Sequence, residues 1–190
     1  VEFVHRSIKS IVVQQEVGTD TPSFSRALIH VLRQNPDVIV IGEMRELDAI
    51  STALTAAETG HLVLATLHTR SSAQTVERIT AAFPSAQQPQ IILQLANTLQ
   101  AVITQDLIPS PEKRARVLAY ELMIANNAVR NNIRAGDLHL LYNAVDMGKK
   151  EGMVSMDQCL LELYQKGLIT YDAAVSRARV PARFTREGRG

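Results

Sequence analysis

Two short apolar runs, Val38-Ile39-Val40-Ile41 and Leu62-Val63-Leu64-Ala65, flank a segment with helical period, and this pattern most narrows the folds open to the chain. Neither run has a polar break, which suits strands buried on both faces. Between them Leu47, Ile50, Leu54 and Ala57 fall on one helical face at three- and four-residue steps. Thr59-Gly60 then offers a C′ glycine to stop the helix. Strand–helix–strand predicts an α/β fold, and ligands of open parallel sheets are met beyond the carboxyl ends of the strands. Glu43 lies past the first run, and His68 and Thr69 lie past the second, so these three are candidate site residues.

The flanking sequence extends the same alternation. Val1 to His5 and Ile8 to Val17 read as short strands, with Glu2 near the exit of the first. Asp20-Thr21-Pro22-Ser23 starts a helix whose apolar face is Phe24, Leu28, Val31 and Leu32. Asn35-Pro36-Asp37 ends it. Ser71-Ser72 caps a helix carrying Val76, Ile79 and Phe83, and another covers about Gln87 to Gln100. Ala101 to Ile108 and Arg116 to Met123 predict an antiparallel pair. Short helices follow at roughly Asn127 to Arg134, Asp137 to Met147, Met156 to Lys166 and Tyr171 to Arg179. Cys159, beside Leu160, Leu161 and Leu163, reads as packed core.

Composition excludes several classes. A net charge of +1 gives no nucleic-acid footprint. No apolar run approaches the ~18 residues of a membrane span. A single Cys leaves no internal disulfide pair and no four-cysteine zinc site, which fits a reducing cytoplasm. The opening Val-Glu-Phe-Val-His has no methionine and is patterned like the inside of a strand, so the expectation is a fragment of a longer protein.

The chemistry that fits is phosphoryl transfer. A glutamate just beyond a strand can orient or deprotonate a water, and His68 and Thr69 can hydrogen-bond a γ-phosphate and signal it into the following helix. Each residue also has a plainer reading: Glu43 as a cap near Arg45, His68 as a satisfied core histidine, Glu2 as an edge charge, and the helix arginines as a solvated face. His61 and His68 do not suit one metal ion, since seven extended residues separate them by ~23 Å. No G-x-S-x-G, CxxC or HExxH occurs, nor any G-x-x-x-x-G-K-[ST], so either this is not a nucleotide enzyme or its phosphate cradle lies upstream of Val1.

VIVIGEMRELDAISTALTAAETGHLVLATLHT resembles, almost end to end, the Walker B and His-box region of the secretion-ATPase superfamily, and within it of the type IV pilus retraction ATPases. VEFVH resembles the tail of the acidic Asp box, and EVGTDTPSFSRALIHVLRQNPDVIVIGE the link between the two. The likeness runs from Val1 to about Met147 and more loosely beyond. It implies a RecA-like P-loop NTPase core, in part, over residues 1–125; the residue pattern itself predicts a helical subdomain over 126–182 and, from its basic, Gly-bearing and unpatterned sequence, a disordered tail over 183–190.

The same resemblance makes Glu2 and Glu43 catalytic and His61, His68 and Thr69 nucleotide-binding. Arg33, Arg45 and Arg78 become candidates for an arginine finger or subunit contact. AVRNNIRAGDL resembles the retraction motif, over Ala128, Val129, Arg130, Asn131, Asn132, Ile133 and Arg134, although Asn132 replaces a leucine and Ala135 a glutamate. ATP and Mg²⁺ are the implied cofactors, with the metal ligand upstream. A homohexamer acting on an inner-membrane platform protein is the implied assembly, cytoplasmic and peripheral to the membrane. Assembly and type II secretion members usually carry a four-cysteine insertion that this chain lacks, which favours retraction. A related secretion or assembly ATPase, or an inactive accessory subunit, is the alternative.

Overall fold

The structure, a computed structural model, describes residues 3–44, 46–111 and 115–185. The chain divides into two compact units, Val1–Leu67 and His68–Gly190, which are described in turn. Glu2 and Arg45 lie outside the described residues.

In the first unit, helix α1 spans Phe24–Leu32, with Ser23 as its N-cap accepting the Arg26 N–H. Strand β1 (Val38–Ile41), helix α2 (Leu47–Glu58) and strand β2 (Leu62–Ala65) follow, and the strands pair in parallel with Val38 opposite Leu62 and Ile41 opposite Ala65. Helix α2 buries Ala49, Ile50, Ala53, Leu54 and Ala56, and packs on α1 and β2. Its end is terminated by Gly60, whose φ of 98° is a left-handed conformation that glycine adopts without strain.

Two expectations fail in this unit. The strands were expected to be buried on both faces, but only Ile39 and Ile41 of β1 are buried, and Val40 is 72% exposed. Two strands make a sheet with one covered face, and Val38, Val40, Leu62 and Leu64 occupy the other. Residues 3–16, expected to supply two strands, form none. Their polar groups pair with side chains instead of a ladder: the His5 N–H donates to Gln14 Oε1 at 2.7 Å, and Gln14 Nε2 donates to the Phe3 carbonyl at 2.8 Å. A β-branched run is a strand only where a neighbour meets its backbone.

The second unit begins with α3 (Ser72–Ala81) and α4 (Gln88–Thr98). Strands β3 (Ala101–Pro109) and β4 (Arg116–Ile124) then form the expected antiparallel pair. Leu122 and Val154 exchange backbone hydrogen bonds of 2.8 and 3.1 Å, adding a one-residue bridge to β4. Helices α5 (Asn127–Ala135), α6 (Leu141–Met147), α7 (Met156–Gln165) and α8 (Tyr171–Val175) complete it. A core of Ile108, Ala119, Cys159, Leu160, Tyr164, Ile169, Ala174 and Phe184 joins the hairpin to α7 and α8. Cys159 is packed there, as its neighbours predict.

Helix α8 stops well short of the expected Arg179. The N–H groups of Arg179 and Val180 donate to the buried Asp157 carboxylate at 2.7 and 2.9 Å, so they leave the helical ladder. The start of the expected disordered tail is also ordered: Pro181–Arg183 form a 3-10 turn, Arg183 pairs with Asp146 at 2.7 Å, and Phe184 is in the core. Residues 186–190 lie outside the described residues. No helix among the described residues is long and apolar enough to cross a membrane.

Two measurements follow from this packing. Thr104 Oγ1 on β3 is buried with no hydrogen-bond partner among the described residues, and an unmet buried hydroxyl costs about 1–3 kcal/mol. Thr104→Val should therefore leave the melting temperature unchanged or raise it, and a loss above about 1 kcal/mol would show that the hydroxyl is paired. Burial pushes the Asp146 carboxyl up, but hydrogen bonds from Arg183 and Ser155 and the charges of Arg183 and Arg179 outweigh it, so the group sits below the usual aspartate range. Its contribution is present at neutral pH and disappears as pH falls through the depressed value. Asp146→Asn should melt below the unchanged protein at neutral pH, with the gap closing in acid.

Candidate functional site

The carboxyl edge of the β1–β2 pair is held by one threonine. The Met44 N–H donates to the Thr66 carbonyl at 3.0 Å, and Thr66 Oγ1 donates to the Gly42 carbonyl. These bonds fall on either side of Glu43, so the peptide carrying that half-buried glutamate is tied to the end of the neighbouring strand. Parallel pairing makes this possible, since both strands finish at the same edge. Thr66 read from sequence only as the end of a strand; its threonine side chain beside a Gly-Glu exit was the available signal.

His61 opens β2, at the opposite end of the sheet from Glu43. Its Nδ1 lies 3.1 Å from the Ala56 carbonyl and 3.1 Å from Thr59 Oγ1. A carbonyl accepts only, so Nδ1 carries the proton and the ring closes the last turn of α2. Arg33 is the exposed C-cap of α1.

In the second unit, Thr75 and Arg78 of α3 meet the His68–Thr69 segment that precedes the helix. Arg78 Nη1 donates to the His68 carbonyl at 2.9 Å, and the Thr69 and Thr75 hydroxyls are 2.7 Å apart. Helix α3 starts here because Ser71 caps it, its hydroxyl accepting the Gln74 N–H at 3.2 Å. His68 is exposed, not the buried core histidine of the plainer reading.

Residues 128–134 lie on α5, away from these groups in sequence and element. Val129 and Ile133 are fully buried one turn apart. Arg130 Nη1 donates to the Ala96 and Asn97 carbonyls at 2.6 and 2.8 Å, and Arg134 Nη2 to Asn97 Oδ1 at 2.9 Å. Arg130 therefore meets carbonyls at the C-terminus of α4, where positive charge is favoured, and Arg134 meets the Asn97 side chain beside them. Asn132 is half-buried.

Sequence reasoning passed over Glu121. It sits on β4, 4% exposed, and its Oε1 accepts both the Ser72 N–H at 2.7 Å and the Ser72 hydroxyl at 2.6 Å. Its signal was phase: Ala119, Glu121 and Met123 share the inward face of β4, where a carboxylate needs a partner. Tyr142 of α6 was missed as well; its hydroxyl lies 3.1 Å from Ser71 Oγ, and the Arg179 guanidinium stacks 3.3 Å above its ring. Among the described residues no three His, Cys, Asp or Glu side chains cluster to hold a metal ion.

Comparison with known proteins gives these groups a setting. The chain is 46% identical over 184 residues to the type IV pilus retraction ATPase PilT of Pseudomonas aeruginosa, covering 97% of this chain and 53% of that protein. It is 45% identical over 179 residues to a twitching motility protein of Neisseria gonorrhoeae, covering 94% of this chain and 48% of the relative. The crystal structure of the pilus retraction motor PilT with bound ADP superposes with a TM-score of 0.87 at 46% identity, over 97% of this chain and 52% of that one. The chain thus spans about half the length of the curated relatives it matches. Its fold is the α/β, RecA-like core that this likeness carries. A family model described as type II/IV secretion system protein matches residues 1–167. On that match, and with retraction-type relatives aligned nearly end to end, the chain belongs to the type II/IV secretion system protein family.

Proposed function

We propose that the complete protein is an ATP-hydrolysing, homohexameric motor that powers type IV pilus retraction, and that this chain supplies the Walker B and His-box side of its nucleotide site. The observation that carries the reading is 46% identity sustained across 97% of the chain to a protein named as a retraction ATPase. Glu43 has the Walker B role and His68 and Thr69 the nucleotide contacts in this reading, with a RecA-like core over residues 1–125 and a helical subdomain over 126–182. The change to helices after β4 supports that boundary.

Glu43 orients the attacking water or takes its proton, with Glu2 assisting. The Thr66 bonds on either side limit how far its peptide drifts, and positioning of this kind accounts for much of the rate in phosphoryl transfer. His68 and Thr69 contact the γ-phosphate, and His61 completes the His box. Arg78 donates Nη1 to the His68 carbonyl, and a guanidinium fork suits an anionic group. Arg33 and Arg45 are the other candidates for an arginine finger or subunit contact. ATP and Mg²⁺ are the cofactors. Among the described residues no three His, Cys, Asp or Glu side chains gather to hold the metal. Residues 128–134 couple turnover to retraction through an inner-membrane platform protein, with the motor in the cytoplasm at the membrane face.

Glu43→Ala in the complete protein should keep ATP binding and lose steady-state phosphate release by at least about a hundredfold, the scale on which loss of a catalytic acid–base group acts. Equal turnover in variant and parent would remove Glu43 from the chemistry. An inactive accessory subunit would release no phosphate even in the parent. In cells, the same substitution should abolish twitching while pili remain on the surface; cells without pili would point to an assembly ATPase.

A further inference from the structure

The start of α3 is tied into the second unit by a buried carboxylate that has no part in the chemistry above. Ser72 is the first residue of α3, so its N–H is among those a helix leaves unpaired. Glu121 meets it from 49 residues away in sequence and also accepts a hydrogen bond from the hydroxyl of the same serine, a carboxylate at the positive end of the helix dipole. Directly across the ladder from Glu121 stands Thr104, buried, its hydroxyl without a partner among the described residues. Cross-strand neighbours are about 5 Å apart at Cβ. Glu121 has a donor within its own sheet, yet its Oε1 takes hydrogen bonds from Ser72 of α3.

The tie reaches His68. The Thr75 hydroxyl lies 2.7 Å from that of Thr69 and donates to the Ser71 carbonyl at 3.0 Å, while Arg78 holds the His68 carbonyl from the second turn. His68 and Thr69 therefore ride on α3, gripped at two successive turns, and α3 is fixed at its origin by Glu121, with the Ser71–Tyr142 bond beside it.

We propose that Glu121 is a positioning residue. By fastening the N-terminus of α3 to β4 it sets where His68 and Thr69 stand when a γ-phosphate is read. This rests on the reading of His68 and Thr69 as γ-phosphate contacts.

The test uses the complete protein and the variants Glu121→Ala, Glu121→Gln and Ser72→Ala, with two readouts: amide hydrogen exchange, and kcat and KM for ATP. Glu121→Ala should lose amide protection over residues 70–75 while the β3–β4 amides keep theirs. Its kcat should fall about tenfold or more, as small misplacements of reacting groups do, with KM changed much less. Glu121→Gln keeps an oxygen acceptor for Ser72 and should restore most of both. If Glu121→Ala does not fold, Ser72→Ala, which removes one donor and keeps the other, should show the same changes at smaller size. Unchanged exchange over 70–75 in whichever alanine variant folds overturns the proposal, as does unchanged kcat. Loss of protection spread evenly over the unit, with kcat intact below the melting range, also overturns it. If the parent does not hydrolyse ATP, the reading of the site fails separately, and exchange alone decides whether Glu121 holds the His68–Thr69 segment.

Discussion

Parallel pairing is the constraint from which the first unit follows. Two strands that run the same way must be joined by a crossover, and here α2 makes it. They also end at one edge, which lets Thr66 reach the peptides around Glu43. With only four residues in each strand, the ladder is extended by the Leu62–Asp37 and Met44–Thr66 bonds at its two ends. A glutamate on an untied loop would sample many positions; here its neighbours on both sides are bonded to the adjacent strand.

The second unit solves the same problem with helix ends. Each helix leaves donors at its start and acceptors at its finish, and these leftover groups are where distant parts of the chain are fastened. Glu121 fastens the start of α3, Asp157 receives the amides of residues 179 and 180, and Arg130 closes the finish of α4. The segment that resembles a retraction motif thus combines two buried aliphatic side chains with an arginine that reads the end of a neighbouring helix. One guanidinium nitrogen, Nη1, meets both carbonyls, and the charge it carries is favoured at a helix C-terminus.

Much of this was legible in the residues. The β1–α2–β2 unit, the β3–β4 pair, the Ser23 and Ser71 caps and the buried Cys159 follow from period, capping chemistry and composition. Residues 3–16 misled because β-branched residues report a preference, not the presence of a neighbouring strand. Val38 and Val40 misled for a related reason: an apolar run shows that a face can be buried, not that something covers it. The early end of α8 depended on a carboxylate more than twenty residues away, outside any local window. Of the candidate site, the positions of Glu43, His68 and Thr69 could be read from the ends of strands. Their supports left fainter signals, a threonine at a strand end and a glutamate in phase with an inward face, because the partners of Thr66, Glu121 and Tyr142 are ones that only folding brings near.

Phe184 changes how the end of the chain should be regarded. Its ring is 4% exposed, seated with Ile108 of the hairpin and Leu160 of α7, and Arg183 beside it grips α6 through Asp146. Removing a buried phenylalanine from such a core costs about 3–5 kcal/mol, a large share of what holds a small domain together. The stretch from Pro181 to Phe184 therefore acts as a stopper for the second unit. A protease cut after α8 would open the core from below, even though every helix and strand upstream would still be covalently intact.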